Sequence, residues 1–435
     1  MKYTAVIILI AGLFIAPIDV APKQALASST QTASFDEAVR AFYAGDTKLA
    51  LRNFLKLAHK GNPQAQYFLA YMYDMGQGTG KDIHEAARWY LESARQGYLP
   101  AEVYAGYIYA EGHGVRKNLD TAIEWYRKAA SKGDDIAQNN LGNLLQQKEG
   151  ADAKYTAARW FLSAAMQGNS NAQYNLADMY RTGEYIQKDL GEAAHWYHLA
   201  AMQGNKDAQN ALAYMHQNGL GVAQSNQKAV EWYQRAAEQD LVSAQFNLAR
   251  LYDRMASETD VDDKTRESYH SSAAIWYYHA ASAGNAEAAY RLATAYRKGA
   301  GVPKDINASV KWLEFALKKN YAPAKLELAR YYETGIGGVK KDPQQALNWY
   351  LDSANQGNGY AMFQAARMYY KGTGIPVDLV KAYKWFVLAV ENLDPEGDAR
   401  DEAIIARVEV SNNLSSEQLA EARRLISQWE PRPSN

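Results

Sequence analysis

The sequence predicts an all-α fold, a right-handed α-α superhelix (solenoid) of about ten helix-turn-helix repeats of ~36 residues with a C-terminal capping helix. Three observations predict it. Nine of the ten tryptophans fall in one recurring slot, at Trp89, Trp125, Trp160, Trp196, Trp232, Trp276, Trp312, Trp349 and Trp385. The steps between them are 35 to 37 residues, apart from one of 44 between Trp232 and Trp276. A helix stop follows eight residues after most slots, at Gly97, Gly133, Gly168, Gly204, Asp240, Gly284, Asn320 and Gly357.

Within one unit, Ala193, Trp196/Tyr197 and Ala200 are three to four residues apart and form one helical stripe. Gly204 ends that helix, because a left-handed terminal residue costs glycine little. A further helix then carries Ala208, Leu212, Ala213 and His216. Several units are joined by Gly-x-Gly-Val/Ile loops, as in Gly112–Val115, Gly219–Val222, Gly299–Val302 and Gly372–Ile375.

Taken in chain order, residues 1–27 read as a secretory signal. Lys2 starts it, Ala5–Ile18 is its apolar core, and Ala25-Leu26-Ala27 is a small-x-small cleavage site. A polar leader occupies 28–34. The solenoid is expected over 35–393, opening with a degenerate unit of helices Phe35–Tyr43 and Thr47–Lys60. The long step places an insertion around 253–272 holding Asp260, Asp262 and Asp263, either a protruding acidic site or a lengthened helix pair with a solvated loop. Residues 394–435 form the C-terminal capping helices and tail. There Ser415 and Gln418 offer a capping box, and Leu419, Ala422, Ile426 and Trp429 share one face.

Ala172, Leu176, Ala177, Tyr180, Ala193, Trp196, Tyr197, Ala200, Ala201 and Gly204 resemble, in order, the pattern of the Sel-one-like repeat family, relatives of the tetratricopeptide repeat. The likeness runs from about Phe35 to Leu393. It implies a non-catalytic scaffold or adaptor. Exported relatives assemble envelope complexes, including exopolysaccharide secretion machinery, regulate signalling receptors, or contribute to contact with host cells.

Composition supports no competing class. Net charge is −1 and hydrophobic content 48%, which argues against a nucleic-acid binder and a disordered chain. Cysteine is absent, so neither disulfides nor thiolate chemistry can occur. Gly76–Lys81 imitates a phosphate loop but has the wrong spacing, places Asp82 where Ser or Thr belongs, and follows a helix. His195 and His198 lack the glutamate of a zinc motif. No cofactor, metal or catalytic residue is expected. The tyrosines eight residues after each leading alanine, such as Tyr73, Tyr180 and Tyr369, read as core.

Binding is expected on the first helix of each unit, the concave side of such solenoids. Counted from the leading alanines (Ala65, Ala101, Ala137, Ala172, Ala208, Ala244, Ala288, Ala324 and Ala361), the second, third and sixth positions vary, and the helical wheel points them away from the packed side. They run from Tyr67, Phe68, Tyr71, Tyr104 and Tyr107, through Asn139, Asn140, Asn143, Asn175, Asn210 and Asn247, to Arg250, Arg291, Arg330 and Arg367. This predicts one groove for an extended partner with an acidic end, since amides satisfy peptide backbone or sugar hydroxyls and arginines grip carboxylates.

The expected role is a protein-protein interaction scaffold of the bacterial cell envelope, exported to the periplasm and free of membrane insertion after signal cleavage. Its partners are envelope proteins, with no nucleic acid. The alternatives are binding of peptidoglycan or an anionic exopolysaccharide, and regulation of an envelope receptor or host interaction. Secretion or a retained signal anchor are the alternative locations.

Overall fold

The computed structural model describes residues 34–431 except 320, 337 and 338. The signal and the stop at Asn320 lie outside the described residues. Among the described residues there are twenty-two helices and no strand. They divide into two compact units, Met1–Ser225 and Asn226–Asn435.

The first unit holds α1 (Phe35–Tyr43), α2 (Thr47–His59), α3 (Pro63–Met75), α4 (Ile83–Arg95), α5 (Leu99–Glu111), α6 (Leu119–Ser131), α7 (Asp135–Gln146), α8 (Ala151–Met166), α9 (Ser170–Thr182), α10 (Leu190–Met202) and α11 (Lys206–Asn218). The second holds α12 (Asn226–Ala237), α13 (Val242–Ala256), α14 (Asp263–Ser282), α15 (Ala286–Lys298), α16 (Ile306–Lys318), α17 (Ala322–Thr334), α18 (Pro343–Asn355), α19 (Gly359–Lys371), α20 (Leu379–Asn392), α21 (Asp398–Asn412) and α22 (Ser416–Ser427). From α3 to α19 the odd helices carry the leading alanines, and from α4 to α20 the even ones carry the tryptophans.

Each boundary has a local cause. In most units the residue after the stop caps the next first helix, and its side-chain oxygen accepts the backbone N–H of the leading alanine. Asn62 does so to Ala65 at 2.8 Å, Asn169 to Ala172 at 3.0 Å, Asn285 to Ala288 at 2.8 Å and Asn358 to Ala361 at 2.9 Å. Asp82, Asp189, Asp305, Asp342 and Asp378 cap second helices in the same way. On the first helices α5, α13 and α17, Tyr98, Leu241 and Tyr321 hold the cap position without a side-chain bond. The leading alanines have no exposed surface, so neighbouring helices approach closely there.

Trp and Tyr of the repeated pair do not pack alike. Tyr90, Tyr126, Tyr197, Tyr233, Tyr277 and Tyr350 are essentially fully buried, while Trp125, Trp160, Trp196 and Trp276 are only partly covered. The tyrosines eight residues after the leading alanine, including Tyr73, Tyr180 and Tyr369, pack half-buried at the margin of the cores.

The long step resolves as a lengthened helix pair. α13 has 15 residues and α14 has 20, leaving a short loop between them. Arg266 closes that loop by donating to the carbonyls of Ala256 at 3.1 Å and Val261 at 2.8 Å. Asp262 caps α14, and Asp263 pairs with Arg266.

The α7–α8 connection lacks Gly-x-Gly, and the corresponding change appears one unit later. Tyr185 occupies the second-glycine position with φ +65°. A glycine at this position packs tightly against the opening residue of the preceding second helix. α8 instead starts farther upstream, at Ala151, and Lys154 donates to the Tyr185 hydroxyl at 2.7 Å.

The capping helix is α22, which opens with the Ser415/Gln418 capping box. It buries Ala422 and sets Trp429 edge-on to Trp385 at 6.4 Å, closing the last core.

Candidate interaction surface

Three positions on each first helix decide what this surface offers. The wheel places all of them away from the packed side; the structure corrects this for the N-terminal residues. Tyr67 and Tyr104 are 8% exposed, Phe68 2% and Asn139 3%, so none can take up a partner there. A first helix in a stacked array is covered by its own second helix and by the next unit. Tyr67 packs edge-on to Tyr90 and Tyr98, and Tyr104 lies 4.0 Å from Tyr90 between ring centroids. The Tyr104 hydroxyl donates across units to the buried carboxylate of Asp74 at 2.7 Å, and His113 Nε2 meets the other oxygen at 2.8 Å. Burial, and then the hydrogen bond to Asp74 and the charge of that carboxylate, hold the Tyr104 phenol well above its ordinary pKa.

The amides are also largely committed to one another. Asn175 Nδ2 donates to Asn139 Oδ1 at 3.0 Å and to Asn143 Oδ1 at 3.1 Å, which ties α9 to α7. Asn139 donates in turn to Asn140. Asn210 and Asn247 are half-buried and likewise engaged. Asn139, Asn143 and Asn175 thus act as links between repeats.

The sixth position remains open. Tyr71, Tyr107 and Asn143 keep part of their surface in solvent, Arg250 and Arg330 are exposed, and Arg367 is partly so. Arg291, from the third position, is exposed as well. Their electrostatic states differ. Arg291 pairs with Glu287 on its own helix at 3.1 Å. Arg330 pairs with Glu327 at 2.9 Å, but Glu327 also faces Arg297 at 2.9 Å, so one carboxylate serves two guanidiniums. Arg250 and Arg367 have no carboxylate partner among the described residues. Each lies over a phenylalanine four residues earlier, Arg250 over Phe246 at 5.6 Å and Arg367 over Phe363 at 5.7 Å. Arg367 also donates to Gln364.

A second set of polar residues was not anticipated from sequence. The glutamine after the leading alanine turns inward and donates to a carbonyl near the end of the preceding helix. Gln66 reaches Ala58 at 3.2 Å, Gln138 reaches Ala130 at 3.2 Å, Gln173 reaches Ala165 at 3.1 Å, Gln209 reaches Ala201 at 3.0 Å and Gln245 reaches Ala237 at 3.2 Å. In several units the glutamine near the next stop donates to its oxygen, as Gln203 does to Gln173 at 2.8 Å. Glu102 with Lys132, and Lys325 with Asp352, replace the amide pair by ion pairs in which Glu102 and Lys325 are buried and their partners half exposed. The recurrence of Ala-Gln was the available signal.

His195 is exposed beside Trp196. Among the described residues no three His, Cys, Asp or Glu side chains gather as a metal site, and no helix is long and apolar enough to cross a membrane.

The model of the Sel1 repeat matches residues 63–98, 99–134, 135–169, 170–205, 206–241, 286–321, 322–358 and 359–392, more than half of the chain. The lengthened pair α13–α14 falls in the gap between matches. A solved protective antigen present in uropathogenic Escherichia coli strains, displaying an SLR fold, is 31% identical with a TM-score of 0.67, over 91% of this chain and 84% of that one. A Sel1 repeat protein from Oxalobacter formigenes is 31% identical with a TM-score of 0.55, over 69% of this chain and 88% of that one. An exopolysaccharide production negative regulator of Rhizobium meliloti is 33% identical over 129 residues, 27% of this chain and 48% of that protein. The chitin synthase regulator SKT5 of Saccharomyces cerevisiae is 33% identical over 120 residues, which is 17% of its length. The chain therefore spans under a fifth of the fungal regulators it matches and about half of the rhizobial one.

Proposed function

The chain belongs to the Sel1 repeat family, whose solenoids serve as scaffolds for protein interaction, and from that premise we propose that it is a non-catalytic regulatory adaptor of the bacterial cell envelope. It works by holding an acidic, extended protein partner on the first helices α13, α15, α17 and α19. The observation that carries this reading is the pair Arg250 and Arg367, two guanidiniums on that face with no carboxylate of their own. An ion-paired surface arginine is already compensated, whereas these two gain by meeting a partner's carboxylates. Envelope placement is supported by the signal-like segment 1–27 and by the relative named for exopolysaccharide regulation.

Carbohydrate binding is the weaker reading. It draws on the aromatic cluster near Tyr67–Tyr107 as well as on the arginines, and Tyr67, Phe68 and Tyr104 of that cluster are covered by protein.

The test is recovery of a partner from envelope extract on the tagged full chain, beside a variant with Arg250, Arg330 and Arg367 changed together to alanine. An exposed charge pair contributes roughly 0.5–1 kcal/mol, so losing three weakens binding about tenfold to a hundredfold. Helicity should be unchanged, since Arg250 and Arg330 are exposed and Arg367 partly so. Equal affinity of both proteins for a verified partner overturns the proposal.

A further inference from the structure

The uncompensated positive charge of the second unit is not evenly spread, and its spacing has a consequence for the partner. On α13 the sixth position is Arg250, stacked on Phe246. On α15 it is Thr294, whose hydroxyl donates to the Tyr290 carbonyl at 3.0 Å. On α17 it is Arg330, which shares Glu327 with Arg297 and so leaves one cation in excess. On α19 it is Arg367, stacked on Phe363. The order along the face is therefore cation, neutral, cation, cation.

A phenylalanine beneath a guanidinium fixes the plane of the group by cation–π attraction and leaves its N–H edges directed outward, the geometry that grips a carboxylate with two hydrogen bonds. Phe246-x-x-x-Arg250 and Phe363-x-x-x-Arg367 have the same spacing and nearly the same ring-to-cation distance, so both outer sites hold a guanidinium in a similar way, although one N–H group of Arg367 already serves Gln364.

Neighbouring packed helices lie roughly 10 Å apart, and an extended chain advances about 3.3 Å per residue. One repeat therefore corresponds to about three residues of an extended peptide laid across the first helices.

We infer that the second unit reads the spacing of acids in an extended acidic peptide: carboxylates three residues apart meet Arg330 and Arg367, and one six residues beyond meets Arg250, with a small or neutral residue opposite Thr294. This rests on the proposed acidic partner and adds its register. The pattern is asymmetric, so it also fixes the direction of the bound strand. Acids at peptide positions one, seven and ten suit one direction, and acids at one, four and ten the other.

The experiment uses the full chain and capped synthetic decapeptides, each with three aspartates on a serine-glycine background. One peptide has acids at one, seven and ten, one at one, four and ten, and a control carries them consecutively in its centre. Titration by fluorescence anisotropy at low salt gives the affinities. One spaced peptide should bind about tenfold more tightly than the control, and Arg250→Ala together with Arg367→Ala should erase the difference while helicity by circular dichroism persists. If all three peptides bind equally, through the same arginines, the register is wrong and the acidic-partner reading stands. If no acidic peptide binds, or the double variant binds as well as the wild type, both fail.

Discussion

Changing Gly114 to alanine should damage the repeat far more than changing Gly133, although both glycines have positive φ. Gly114 has φ +73°, and an added Cβ would lie 2.1 Å from the Ile83 carbonyl oxygen, 2.8 Å from its carbon and 2.9 Å from Ala87 Cβ. Gly133 has φ +95° and nothing within 4 Å of such an atom. A left-handed backbone costs a residue with a side chain roughly 1–2 kcal/mol, and both variants carry that cost. Only Gly114→Ala must in addition push back the first turn of α4, an overpacking cost of roughly 1–3 kcal/mol. The expected losses are about 1–2 kcal/mol for Gly133→Ala and about 2–5 kcal/mol for Gly114→Ala. Repeat arrays open locally, so the assay is native-state hydrogen exchange resolved by helix, with protection in α4 and α5 compared between variants. If the two substitutions cost the same within about 0.5 kcal/mol, close approach is not what fixes glycine at this loop position.

Gln173→Leu removes the bond to the Ala165 carbonyl, which keeps only the Gly168 N–H, and the acceptor of the exposed Gln203; a loss of about 0.5–1.5 kcal/mol, read by urea unfolding, is expected, and a neutral result would show that the glutamine ladder is incidental. Burial is the largest cause holding the hydroxyls of Tyr67, Tyr90, Tyr104, Tyr197, Tyr277 and Tyr350 above their usual pKa, and nearby Asp74, Asp178, Asp253 or Glu333 adds to it for Tyr104, Tyr197, Tyr277 and Tyr350. Their contribution is complete below the unfolded tyrosine pKa near 10 and is lost above it as unfolded tyrosines ionise first. Tyrosinate absorbance from these residues should therefore appear together with loss of helicity above about pH 10, and ionisation within an intact fold would contradict the assignment.

The fold was legible because each constraint is written many times. A single tryptophan is ambiguous, but nine in one slot are not. The candidate surface was less legible because the wheel of one helix knows only its own second helix. Tyr104 shows the failure: it varies between units and lies off the alanine stripe, yet it donates to Asp74 of the preceding unit and is covered by that contact. Asn139 and Asn175 fail similarly, since each is the other's partner at a separation of 36 residues. The inward glutamines were passed over for the opposite reason. A polar residue beside an alanine reads as surface unless the carbonyl eight residues earlier is known to lie within its reach and to accept a further donor.

Variation between repeats is therefore evidence of a binding role only where the position is also uncovered, and the sixth position meets both conditions. Thr294 tests this rule most directly, because it is the one neutral member between Arg250 and Arg330. Its hydroxyl serves only its own helix, bonding the Tyr290 carbonyl, so Thr294→Arg breaks no link between helices and a long arginine can reach solvent from a half-buried start. The substitution supplies the missing cation. A peptide with aspartates at positions one, four, seven and ten should gain about tenfold in affinity for the variant relative to wild type, while peptides with three spaced acids change less. A uniform gain for every acidic peptide, including one with consecutive acids, would mean that the surface senses total charge, and the sixth position would lose its claim to set the register.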